Sequence, residues 1–175
     1  PYGWPQARIL CASHSIGIAE RDTRRMRDLI TSEWYQSHWA DRVQLRPDQN
    51  TKTHFETQAA GWRRAISAGG ITGYRADFVI VDDPHSVEGA NSDAERESVL
   101  TWFREALPTR LNDPRTSRIV VIMQRLHEYD VSGYILDNLR EYDHLMLPML
   151  YDPDRAGPTK LGYEDPRTER DELLF

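Results

Sequence analysis

The stretch FVIVDDPH, residues 78–85, constrains the fold of this chain more than any other. Its first four residues are aromatic or branched and predict a buried strand. Two adjacent carboxylates, Asp82 and Asp83, follow where the strand stops. A buried carboxylate is costly unless it is paired or binds a cation. The stretch therefore predicts a strand that carries acids to a ligand site, or alternatively a plain strand exit, since Asp and Pro also favour turns.

A second apolar run, RIVVIMQR at 118–125, predicts another buried strand, and RILCAS at 8–13 a third. Residues 42–47 and 51–58 alternate as half-buried strands do, and 61–67 are expected to pair with 51–58 as a hairpin. Amphipathic spacing predicts one helix over 17–39.

Two further helices are indicated by their start signals. The capping box SDAE, 92–95, opens a helix that should end by Pro114, and Asp130 is the predicted N-cap of the next. Strands that alternate with helices predict an α/β fold. We expect a mostly parallel sheet, flanked by helices and covered on both faces.

Ligands of parallel sheets bind beyond the carboxyl ends of the strands. An apolar strand that ends in two acids is the Walker B pattern. In that pattern Asp82 holds Mg²⁺, usually through water, and Asp83 orients or deprotonates the attacking water. Gln124, at the end of the second run, would sense the γ-phosphate or place the lytic water. The alternative is that Gln124 and Arg125 cap the strand and pair locally.

Composition excludes several classes of protein. The chain has 175 residues with a net charge of −6, so charge does not indicate a nucleic-acid binder. Cys11 is the only cysteine, which excludes an intrachain disulfide and a cysteine-based zinc site. No apolar run is long enough to span a membrane. We place a domain at 1–150 and an extended Pro-, Gly- and charge-rich connector at 151–175.

The run from 68 to 136 also resembles a known family. The resemblance begins with GGITG and AD, which lead into VIVDDP. An acidic residue, ANS, W and TRLN follow in that order. The next piece is VVIMQRLHEYDVSG, and the chain closes on DELLF. RILCASHS resembles the family's strand and loop after its P-loop helix. Together these pieces resemble the ATPase domain of the large terminase subunit of tailed bacteriophages.

The resemblance implies a P-loop NTPase core of the ASCE, RecA-like type that uses ATP and Mg²⁺. Large terminases drive double-stranded DNA into a procapsid and cut it with a C-terminal nuclease domain. They form a homo-oligomeric ring at the portal protein, and a small terminase subunit recruits the DNA. The implied location is the host cell cytoplasm, with a phage or prophage gene.

Site residues follow by position in the family's motifs. The resemblance implies Asp82 and Asp83 as the Walker B acids, Gln124 in the coupling motif, Arg125 in ATP binding, and Arg75 as an arginine finger toward a neighbour's ATP. Three departures bear on this. Glu is common at position 83, which leaves Glu88 as an alternative base; GYRAD stands where the family has GRGAD; and Thr is common at position 124.

No G-x-x-x-x-G-K-[ST] occurs in the 175 residues. We expect the P-loop to precede Pro1 and the nuclease carboxylates to follow Phe175. This chain alone should then neither bind ATP tightly nor cleave DNA. Two other functions stay open: a helicase-like or other ASCE ATPase, and a non-catalytic prophage remnant that only binds other proteins.

Overall fold

A computed structural model describes residues 3–70 and 73–175. Its centre is a six-stranded mixed sheet with the strand order β2-β3-β4-β1-β5-β6. The strands are β1 (Arg8–Ser13), β2 (Leu45–Asn50), β3 (His54–Thr57), β4 (Trp62–Ser67), β5 (Phe78–Asp82) and β6 (Arg118–Ile122). The helices are α1 (Ile16–Thr31), α2 (Glu33–Trp39), α3 (Val87–Asn91), α4 (Asp93–Thr101) and α5 (Val131–Asn138). A π-helical turn (Trp102–Ala106) and a 3₁₀ turn (Pro108–Arg110) extend α4.

The strands β4, β1, β5 and β6 run parallel, whereas β3 is antiparallel to both β2 and β4. The predicted α/β class with a mostly parallel sheet is therefore confirmed. The predicted hairpin is present as β3 and β4, with His54 opposite Arg64. The parallel register brings the carboxyl ends of β1, β5 and β6 to one edge of the sheet, which is where the predicted acids lie.

The helix predicted over 17–39 is divided at Ser32. This residue is extended (ψ 149°), and its hydroxyl donates to the Leu29 carbonyl at 2.7 Å. The same hydroxyl accepts from the Tyr35 N–H and so caps α2. Serine side chains that bond to nearby backbone compete with helix continuation, which explains the break.

The prediction that both faces of the sheet are covered is wrong at β6. This strand ends at Ile122, earlier than predicted, and its residues alternate in exposure. Val120 is 41% and Ile122 56% exposed, whereas Val79 and Val81 of β5 are fully buried. Because β6 is the last strand of the sheet, one face of its end has no covering element among the described residues.

The chain divides into two compact units, Pro1–Gly133 and Tyr134–Phe175. The predicted boundary lay at residue 150. Within the second unit the tail, predicted as an extended connector, folds back: Leu150 pairs with Leu173. The buried guanidinium of Arg167 bonds the Asp165 carboxylate and the Pro148 carbonyl. Of the helices in the described part of the chain, none is long and apolar enough to cross a membrane.

Candidate functional site

The backbone of Asp83 joins three parallel strands at their carboxyl ends. Its N–H donates to the Ile122 carbonyl at 2.9 Å, and its own carbonyl accepts from the His14 N–H at 2.9 Å. Its φ is +44°, in the left-handed backbone region that residues other than Gly seldom adopt. Strained backbone of this kind persists only where the surroundings hold it, and it concentrates at functional sites.

The Asp83 side chain reaches the segment that follows β6. Its Oδ1 accepts a hydrogen bond from the backbone N–H of Gln124 at 3.3 Å. Two of the sequence-predicted site residues thus lie in contact, although through the main chain of Gln124 rather than its amide side chain. The roles of Asp83 and Gln124 in hydrolysis stay predictions.

Asp82 lies in an environment that disfavours its charge. Partial burial and the neighbouring carboxylates of Asp83 and Asp22 raise the pKa of Asp82, against the opposing influence of Arg21 and Arg63. A bound cation would relieve this repulsion. The donor set therefore fits Mg²⁺, which takes few carboxylates and keeps several waters. Within residues 3–70 and 73–175, no group of three or more His, Cys, Asp or Glu is arranged to hold a metal ion.

Arg125 makes local contacts. Its guanidinium donates to the carbonyls of His127 (3.1 Å) and Glu128 (3.0 Å), and its Nε lies 3.7 Å from Asp130 Oδ1. These contacts fit the alternative that Arg125 pairs within its own loop. Its predicted part in ATP binding stays a prediction.

Arg75 is not brought to the acids. It is exposed and precedes β5, whereas Asp82 ends that strand. A strand of this length separates its ends by about 13 Å. An arginine finger at Arg75 could therefore act only on a site in a neighbouring subunit, which is the role that the resemblance implies. Glu88, the alternative base, is exposed in the first turn of α3.

Sequence reasoning missed His85, which lies two residues beyond Asp83. The side chain is 3% exposed, and its Nε2 accepts from the Val131 N–H at 3.2 Å, so the ring is neutral with its proton on Nδ1. Burial lowers the pKa of His85, with a further lowering by Arg96 and a partial opposition by Asp130. His85 thereby fixes the loop after β5 to the start of α5. The sequence feature that could have indicated His85 is its position directly after Asp82-Asp83-Pro84.

Asp130 is the N-cap of α5, as the sequence predicts. Its carboxylate is fully buried and accepts from the N–H of Gly133, Leu126 and His127 and from the Ser132 hydroxyl. Burial by itself would raise the pKa of Asp130, but these hydrogen bonds outweigh burial and lower it. The loop after β6 is thus folded around one carboxylate.

The cavity next to the loop that follows the acids is small. It measures about 130 Å³ and is lined by His14, Pro84, His85 and Glu95 among others. Pockets for drug-sized ligands measure about 300–1,000 Å³. An ATP site would therefore need further pocket-lining residues from outside this cavity.

No protein-family model matches this chain, and neither does any curated protein.

Proposed function

We propose that this chain is the Walker B and coupling part of a DNA-packaging ATPase of the large terminase type. The observation that carries the proposal is the geometry at the carboxyl edge of the sheet. Asp82 and Asp83 end β5, and the Asp83 carboxylate bonds the residue that follows β6. Paired acids beside a polar segment of the next parallel strand are the arrangement that the family's chemistry needs.

The residues have separate tasks in the proposed reaction. Asp82, whose charge is disfavoured without a cation, holds Mg²⁺, which when bound would neutralise charge on the phosphate oxygens. Asp83 accepts a proton from the attacking water or orients it. His85 and Asp130 do not touch the nucleotide; they hold the loops after β5 and β6 in place.

The proposed activity requires a P-loop from outside these 175 residues. The exposed apolar side chains of Val120 and Ile122, beside Asp82, provide a surface against which such a segment would pack. The partners then follow from the family: double-stranded DNA, a portal protein, a small terminase subunit and further copies in a ring, in the cytoplasm of the host cell.

The test is ATP hydrolysis by the complete gene product that contains this chain, measured with Mg²⁺ and with linear double-stranded DNA. We expect hydrolysis that depends on Mg²⁺ and is lost in Asp82→Asn. The matched control is Asp41→Asn, which changes a carboxylate that is 76% exposed. Hydrolysis that survives Asp82→Asn would contradict the proposal.

The same assay separates the two other functions. A helicase-like ATPase would respond to single-stranded DNA and unwind a forked duplex. A non-catalytic remnant would show no hydrolysis, and its reading frame would contain no P-loop.

A further inference from the structure

The backbone of Asp83 adopts a conformation that its sequence context opposes. Its φ of +44° lies in the left-handed region, which is uncommon for residues that carry a Cβ. Asp83 also precedes Pro84, and a proline ring favours an extended conformation with negative φ in the residue before it. Two separate local preferences therefore act against the observed conformation, so contacts from elsewhere in the fold must hold it.

His14, the residue after β1, makes two of these contacts, both at the same atom. Its main-chain N–H donates to the Asp83 carbonyl at 2.9 Å, and its ring Nδ1 lies 3.0 Å from the same oxygen. The Asp83 N–H is held separately by the Ile122 carbonyl at 2.9 Å. These bonds fix both peptide groups that flank the Asp83 Cα, and neither group can rotate without the loss of a hydrogen bond.

The ring contact also decides which nitrogen of His14 carries the proton. A main-chain carbonyl oxygen can only accept a hydrogen bond, so Nδ1 is the donor and the neutral ring has an unprotonated Nε2. His14 is exposed and lines the cavity of about 130 Å³ next to the loop after β5. Because water competes for an exposed ring, this bond should add little to the stability of the whole fold. Its expected effect is local, on Asp83.

The left-handed backbone of Asp83 sets the direction of its carboxylate. In this conformation Oδ1 accepts from the Gln124 N–H at 3.3 Å, beyond the end of β6. Rotation of Asp83 to an extended conformation would redirect the side chain relative to β5 and break this contact. The carboxylate would then leave the position between the ends of β5 and β6, where the proposed function requires it.

We infer that His14 is a positioning residue for Asp83. Its Nδ1–H holds the Asp83 carbonyl, keeps the backbone left-handed and thereby aims the carboxylate at the segment that contains Gln124. His14 itself takes no proton from the attacking water. The inference deepens the proposed function and rests on it for the effect on ATP turnover, whereas the effect on the conformation of Asp83 is measurable without nucleotide.

The first test compares three substitutions of His14 by the ATP turnover of the complete gene product with Mg²⁺. Asn places an amide N–H where the ring Nδ1 lies, Gln places it one methylene further out, and Ala has no donor. We expect His14→Ala and His14→Gln to lower kcat about tenfold to a hundredfold, the size of effect that follows a misplacement of about 1 Å. His14→Asn should retain most of the wild-type kcat. KM for ATP should be unchanged in all three variants, because His14 does not bind the nucleotide.

The second test uses this chain alone and contains no ATP. Hydrogen exchange followed by NMR reports the N–H groups of Asp83 and Gln124, which donate to the Ile122 carbonyl and to the Asp83 carboxylate. We expect both to exchange about two- to tenfold faster in His14→Ala, the effect of one hydrogen bond, and to be restored in His14→Asn. Spectra of the ¹⁵N-labelled chain should also show the neutral His14 ring protonated at Nδ1.

His38→Ala is the matched control. The ring Nδ1 of His38 also lies near a main-chain carbonyl, that of Trp34 at 2.7 Å, but within α2. Removal of this ring should leave kcat unchanged, and it should leave the exchange of the Asp83 and Gln124 N–H groups unchanged.

Three results would overturn the inference: a wild-type kcat in His14→Ala, a loss in His14→Asn as large as that in His14→Ala, or unchanged exchange at Asp83 and Gln124 in His14→Ala. The second result would mean that the ring acts on nucleotide or water directly and not through Asp83. If the wild-type gene product hydrolyses no ATP, the proposed function fails, and the exchange measurement alone decides whether His14 holds Asp83.

Discussion

Single residues at the end of β5 differ in how far their chemistry follows from the sequence. Asp82 and Asp83 are adjacent in the chain, yet only Asp83 adopts a left-handed backbone and joins β1 to β6. The sign of φ is decided by tertiary hydrogen bonds, which no local pattern contains. The raised pKa of Asp82 likewise depends on burial in the folded sheet, and in smaller part on Asp83 and on Asp22 of α1, sixty residues earlier.

Asp82→Asn should stabilise the chain at neutral pH when no divalent cation is present. The folded-state pKa of Asp82 lies above its ordinary value of 3.8. Wild-type protein therefore loses stability as pH rises from 3.8 through the folded pKa, and the variant does not. Urea unfolding at pH 7 and at pH 3 measures the difference. A variant that is less stable than wild type at pH 7 would show that the carboxylate is satisfied without a cation.

His85→Gln should flatten the pH dependence of stability below pH 6.5. The folded pKa of His85 is lowered from 6.5, so the unfolded chain binds the proton first and stability falls as pH drops through 6.5 toward the folded pKa. The maximal slope is about 1.4 kcal/mol per pH unit for one proton. Gln keeps an acceptor for the Val131 N–H without titrating.

Chemical unfolding between pH 5 and 8 tests this expectation. His54, whose pKa is also lowered by burial, contributes to the remaining slope. An equal slope in wild type and His85→Gln would contradict the expectation.

Elements were predictable where local signals set them. The Ser92 and Asp130 caps, the strand β1 and the hairpin of β3 and β4 are present as predicted. The division at Ser32 and the exposure of β6 were missed. The first depends on the two hydrogen bonds that the Ser32 hydroxyl makes to Leu29 and Tyr35, and the second on which strand lies at the sheet edge. Apolar composition alone does not distinguish a central strand from an edge strand.

Val120→Thr in β6 should change the stability of this chain by less than about 0.5 kcal/mol, as at other exposed positions. Val81→Thr is the matched change at a fully buried position of β5 and should cost about 1–3 kcal/mol, because the hydroxyl is buried. Urea unfolding of both variants gives the comparison. A large loss in Val120→Thr would mean that this face of β6 is covered.

Asp130→Ala should destabilise the loop after β6. The variant leaves the N–H groups of Leu126, His127 and Gly133 without their acceptor. We expect a loss of about 2 kcal/mol or more in the free energy of unfolding. Asp130→Asn, which keeps one acceptor oxygen, should lose less, and urea unfolding orders the two variants. Equal losses of unfolding free energy in the two variants would contradict the expectation that the hydrogen bonds of Asp130 stabilise this loop.

At the scale of the whole molecule, the sheet brings together residues from three chain segments: Ser13 and His14 from the first, Asp82 to His85 from the second, and Gln124 from the third. Parallel topology accounts for this convergence, and the sequence pattern predicted it for the second and third segments. The contribution of β1 was missed because nothing in RILCASHS indicates which neighbour the strand takes. A phosphate-binding loop from outside the 175 residues is what the proposed motor still needs.

The most direct test of the central claim is ATP turnover by the complete gene product carrying Asp83→Ala, measured beside ATP affinity. Loss of a water-activating group lowers the rate by about 10²–10⁴-fold and leaves binding nearly unchanged, which is the result we expect. Glu88→Ala, in the exposed first turn of α3, is the parallel variant and should retain turnover. Wild-type turnover in Asp83→Ala, together with its loss in Glu88→Ala, would contradict the assignment and move the catalytic base to Glu88.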